Sequence, residues 1–137
     1  MEQSMQFINY WAVLAAAVSS FIIGGIWWSP VMFEHAWKKE NGFTDEFLKK
    51  GNMAKIFGLS FLWSLIMAFN LAMFLGDEKT TTTWGMTAGF LAGSGWVAMA
   101  IFIIGLFERK SVKLMLINSG YMVVAFTVMG LIIGAWR

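Results

Sequence analysis

Few side chains in this 137-residue chain could do chemistry, and their types limit what that chemistry could be. Asn70, Asn118 and Tyr121 stand inside long uncharged runs. An amide or phenol there either bonds to a neighbouring helix, for about 1 kcal/mol, or lines a polar path or ligand site. His35 lies beside Glu34, an arrangement that would suit a metal or a proton relay. A metal wants about three or four ligands, and the chain has one histidine and no cysteine. We therefore expect a solvated or headgroup-facing pair, with no metal and no cofactor. Trp27, Trp28, Phe33, Glu34, His35 and Trp37 together form a candidate slot for a lipid or small amphiphile. No nucleophile stands with a base, and neither a phosphate loop nor paired carboxylates are placed where a substrate could reach them, so no enzyme is expected.

The stretch that must position these groups runs from Gly24 to Trp37, where an apolar run ends and the chain restarts at Pro30. Trp27 and Trp28 stand where the run stops, the headgroup depth that amphipathic rings favour. Pro30 suits a first helical turn, and Ser29 before it is placed to cap a new helix. The order of small residues, Trp27-Trp28-Ser29-Pro30, then Phe33 and Trp37, resembles the domain-of-unknown-function 1761 family of small four-span membrane proteins. Gly51-Asn52-Met53 and Gly120-Tyr121 extend the resemblance over most of the chain. Where the family pattern has a small and a basic residue, this chain has Glu34-His35. The resemblance implies an integral membrane fold and no known activity.

Composition leads independently to the same class. The chain is 58% hydrophobic and 13% charged, with eight tryptophans and thirteen phenylalanines, which leaves too little polar surface to cover a soluble core. A net charge of +2 makes nucleic acid a poor partner. Four segments, at about 7–28, 53–75, 84–107 and 112–136, are long enough to cross a hydrocarbon layer of about 30 Å. They make one four-helix transmembrane domain over 1–137. The polar start, Met1 to Gln6, contains Glu2 and no basic residue, so the first run is expected to be retained rather than cleaved as a signal.

Between the first two spans, residues 30–52 read as two short amphipathic helices. Glu34 and Lys38 are spaced as an i,i+4 pair, Gly42 suits a left-handed C-terminal residue, and Thr44 suits an N-cap. Phe43 and Leu48 are placed as a hydrophobic staple. Lys38, Lys39, Lys49, Lys50 and Lys55 should hold this segment on an anionic leaflet. The link after span two is short and predicts that spans two and three are antiparallel neighbours. Basic residues concentrate in the first and third loops, which places those loops in the cytoplasm and both termini outside a cell or inner membrane.

Small residues recur along every span. Gly85, Gly89 and Gly93 in span three form two overlapping small-xxx-small motifs, and Gly130 and Gly134 form another in span four. These predict close helix packing and a homo-oligomer joined through the glycine face of span three. Two functions follow: a non-catalytic membrane module that binds lipid or partner helices, or a passive channel or carrier for a small neutral solute lined by Asn118, Tyr121 and serines. No span carries a charged residue near its middle, which argues against a proton-coupled exporter.

Overall fold

The computed structural model describes residues 5–137, so Met1 to Ser4, with Glu2, lie outside the described residues. The described chain is helices joined by short links. Helix α1 spans Tyr10–Trp27, α2 Glu34–Asn41, α3 Asp45–Lys49 and α4 Met53–Phe74. Helices α5 (Thr82–Ala92) and α6 (Ala98–Phe107) form one rod through a π-helical turn at Gly93–Val97, and α7 spans Val112–Ala135. The helices α1, α4, α5 with α6, and α7 are long and apolar enough to cross a membrane. The fold is an all-α, four-span bundle with a short helical loop after the first span.

Local chemistry sets the ends. The Asn9 side chain accepts from the Trp11 and Ala12 amides at the start of α1, and Asn52 accepts from the Lys55 amide at the start of α4. Thr44, Thr81 and Ser111 accept from the Phe47, Trp84 and Leu114 amides in the same way. Each satisfies one of the donors that a first turn leaves open. Gly42 ends α2 with φ of 72°, and Arg109 ends α6 with φ of 61° while the Lys110 amide returns to the Gly105 carbonyl. Pro30 does not open a helix. Residues 29–33 form turns, α2 begins only at Glu34 with Phe33 in the cap position, and the Ser29 hydroxyl turns back to the Ile26 carbonyl. The Phe33 and Glu34 amides are taken by the Trp27 and Ser29 carbonyls, which folds the chain over at this point.

Helix α7 is the hub. It buries eleven residues along its length, from Leu114 to Gly134, against α5 with α6 on one side and α1 on another. The α5–α7 contact is the closest in the molecule, because glycines face each other's backbone. A Cβ at Gly93 would stand 3.0 Å from the Val123 Cα, and one at Gly134 would stand 3.2 Å from the Gly85 Cα. The glycine face expected to join copies of the chain is therefore occupied by the chain's own α7.

Helix α4 packs mainly on α1, where Tyr10 stacks on Phe69 and Phe21 meets Phe57 and Phe61. Although the link is short, spans two and three are not each other's major partners, which for α4 and α5 are α1 and α7 respectively. The link passes instead by the end of α7, where the Arg137 guanidinium donates to the carbonyls of Leu75, at 2.8 Å, and Asp77. Leu71, Ala72 and Leu75 are buried with Met129 and Ile133 in the core. By contrast, every residue of α4 from Met53 to Leu59 is exposed, so α4 is seated mainly by its second half, with Phe57 and Phe61 on Phe21 in its first. The large side chains outside these contacts, such as Ile22, Leu62, Ile66, Phe90 and Ile103, point away from the bundle, where acyl chains can take them.

Candidate functional site: an aromatic knot and its unpaired polar groups

The end of the bundle that carries α2 and α3 gathers residues from four segments. The chain reverses after α1, so Trp27 lies back on α7 and donates its indole N–H to the Ile117 carbonyl at 2.9 Å. Phe33 covers Trp27 with ring centroids 4.8 Å apart. The contact needs Gly120, where a Cβ would stand 3.0 Å from Trp27 Cζ2. Trp28 folds onto Tyr121, ring centroids 4.5 Å apart, beside Gly24. The Tyr121 hydroxyl is satisfied by the Ser20 carbonyl at 2.9 Å.

The Trp28 indole N–H is different. It is buried and has no hydrogen-bond partner. A buried donor left unpaired costs about 1–3 kcal/mol, so this nitrogen marks a place where an acceptor belongs.

The six residues of the sequence-derived slot divide into two groups. Trp27, Trp28 and Phe33 join the knot. Trp37 instead meets Phe43, which stacks on Phe47. Glu34 is taken by Lys38 at 3.0 Å, and the same ammonium donates to Asp45 at 2.8 Å, tying α2 to α3. This bond holds the Asp45 carboxyl below its usual range and the Lys38 ammonium above its own. An open hollow of about 420 Å³ lies here, lined by Glu34, Lys38, Asp45, Leu48, Lys49 and Met53. His35 is exposed, and among the described residues no three His, Asp or Glu side chains come together.

The span amides and hydroxyls also separate. Asn70 is exposed and donates to the Ile66 carbonyl of its own helix. Ser19, Ser20, Ser94 and Ser119 close on carbonyls three or four residues back, which occupies their one donor. Ser60, Ser64 and Asn118 are half-buried and find no hydrogen-bond partner among the described residues. Asn118 stands one turn from Tyr121 on α7. Ser60 and Ser64 share a stripe of α4 with Ala68 and Leu71, which are buried in the core with Ala16 and Ala17 of α1 and Met129 of α7. Three half-buried side chains without a partner and one orphaned N–H thus stand on α4, α7 and the end of α1.

One polar contact was invisible to local reasoning: Ser111, while capping α7, donates its hydroxyl to Glu40 at 2.8 Å. That bond pins α2 to the start of α7.

Of the residues on which the resemblance rests, Gly24, Trp27, Trp28, Phe33, Gly120 and Tyr121 meet in a single knot, while Trp37 lies on Phe43 outside it. A family model described as "Protein of unknown function (DUF1761)" matches residues 11–134. The chain belongs to the DUF1761 family. Neither the curated proteins nor the solved structures give a match to it. In this DUF1761 protein the match takes in all four spans and the helical loop, and so every residue of the knot.

Proposed function

We propose that this DUF1761 protein is a non-catalytic, multi-pass membrane module that binds lipid at the aromatic knot, with the lysine-rich first loop and the third loop in the cytoplasm. The buried, unpaired indole N–H of Trp28 carries this reading. It lies at the end of a span, at the depth where lipid ester carbonyls offer acceptors. The tight α5–α7 contact supports a module rather than a pore, since it leaves no lumen between those spans. The sidedness rests on Lys39, Lys49, Lys50 and Lys55, all exposed in or beside the first loop, by the positive-inside rule. Mass spectrometry of lipid retained through detergent purification tests the binding. A stoichiometric lipid that detergent exchange does not remove is expected, and complete exchange would overturn the reading.

The unpaired Ser60, Ser64 and Asn118 favour a second reading, a passive carrier for a small neutral solute. Against it, Leu71, Leu75, Met129 and Ile133 close the far half of the bundle. Solute flux into proteoliposomes above that of protein-free vesicles would favour the carrier.

A further inference from the structure

The open hollow between α2, α3 and the start of α4 is separate from the knot, and its walls carry both signs of charge. Glu34, Lys38, Asp45, Leu48, Lys49 and Met53 line it together. Lys38 stands between the two carboxylates, 3.0 Å from Glu34 and 2.8 Å from Asp45. One ammonium thus faces two carboxylates, and the three side chains keep one negative charge in surplus. Lys49 is exposed and belongs to neither of the ion pairs found among the described residues. The Asp45 carboxyl is held down first by Lys38 and also by the charge of Lys49, so this second ammonium stands near the same carboxylate. The hollow therefore presents one surplus negative pole and one surplus positive pole.

Both poles have bonding capacity left. An ionised carboxylate has about four acceptor positions, and the Asp45 side chain is 75% exposed. The Lys49 ammonium brings three N–H donors. A simple anion would meet two carboxylates here and a simple cation two ammoniums, whereas a group carrying both charges finds a partner for each. A primary ammonium can donate to the carboxylates; a trimethylammonium has no N–H to give.

The remaining wall is apolar and leads into the membrane. Leu48 is half-buried, and Met53 is the first residue of the span α4. Met53 and Ile56 are exposed one turn apart, which gives an acyl chain a path down the helix from the hollow.

We propose that this hollow binds the headgroup of a phospholipid that carries a phosphate and a primary ammonium, the ammonium donating to Glu34 and Asp45 and the phosphate accepting from Lys49. The site is distinct from the aromatic knot, and its test does not depend on what the knot binds.

The test places the full chain in phosphatidylcholine liposomes that hold a small share of photoactivatable lipid, with identical labelled acyl chains on phosphatidylethanolamine, phosphatidylcholine or phosphatidylglycerol. Severalfold stronger labelling by the ethanolamine probe is expected on peptides containing Met53 or Ile56. Lys49→Gln leaves the Lys38 tie in place and should lower that labelling severalfold, while Asp45→Asn should remove the preference over phosphatidylglycerol. Both positions are exposed, and the comparison of probes on the unmodified chain decides even without the variants. Equal labelling by the ethanolamine and choline probes would overturn the role given to the ammonium, and stronger labelling by phosphatidylglycerol would overturn the choice of a zwitterion. A large excess of free phosphoethanolamine should leave the labelling unchanged; loss of labelling would mean that the hollow takes the soluble zwitterion and not the lipid.

Discussion

The hydroxyl of Tyr121 donates to the carbonyl oxygen of Ser20 at 2.9 Å, joining residues 101 positions apart inside the bundle. The Ser20 oxygen belongs to α1, so the phenol bridges α1 and α7 at the point where Trp28 covers its ring. Removing the hydroxyl with Tyr121→Phe keeps the ring stack and deletes the bridge. We expect a loss of about 1 kcal/mol, the usual size of an interhelical bond in a membrane. Unfolding by a denaturing detergent, followed by circular dichroism, measures it. An unchanged midpoint would mean that the bond contributes nothing to stability.

The bond between Lys38 and Asp45 predicts how the loop responds to pH. The Asp45 carboxyl is depressed, first by the hydrogen bond from Lys38 and then by its charge. Its contribution is therefore full above about pH 4, the ordinary carboxylate value, and fades as pH falls through the depressed one. Lys38 is raised, chiefly by Asp45 and then by Glu34, so its part is full below about pH 10 and fades above. Between those limits, hydrogen exchange over residues 34–49, corrected for intrinsic rate, should be flat, and it should rise at the acid end. Asp45→Asn should bring the acid behaviour to neutral pH. Because the pair is exposed, added salt should weaken it.

Arg109 occupies the left-handed region that closes α6, with φ of 61°. A side chain there costs about 1–2 kcal/mol, and glycine is the ordinary occupant of the position after a helix. Arg109→Gly should stabilise the protein by about 1 kcal/mol in the same unfolding assay, with Arg109→Ala giving no such gain. A destabilised glycine variant would mean that the arginine makes a compensating interaction with headgroups.

Much of this architecture can be read from local rules. Long uncharged runs become spans because nothing else satisfies the backbone in lipid. Thr44, Gly42 and Ser111 act through atoms within a few residues of themselves, so spacing alone identifies them. Pro30 misleads because the Trp27 and Ser29 carbonyls capture the amides that a helix would have used, a competition that spacing does not reveal. The Ser111–Glu40 bond, the Arg137 clasp on the link and the orphaned Trp28 nitrogen depend on tertiary placement. The same limit applies to Ser60 and Ser64: a helical serine normally bonds back to its own helix, and only coordinates reveal that these two do not.

The glycine face of α5 is the sharpest such case, since a small-xxx-small motif states that a backbone will come close without saying whose. Here it is the backbone of α7: a Cβ at Gly89 would overlap the Phe126 carbonyl oxygen, and one at Gly130 would overlap that of Gly85. A carbonyl fixed in a helix cannot swing aside as a side-chain tip can, so the helices must separate along their length. Gly89→Leu should therefore cost more than the roughly 1–3 kcal/mol of ordinary overpacking and deplete folded monomer in detergent. Gly95→Leu, two turns along the same rod with nothing within 4 Å of its added Cβ, should be tolerated. If Gly89→Leu lowered the oligomer size at an unchanged unfolding midpoint, the face would instead lie between copies. The close approach would then have to form between chains, and α7 would lose the neighbour that makes it the hub.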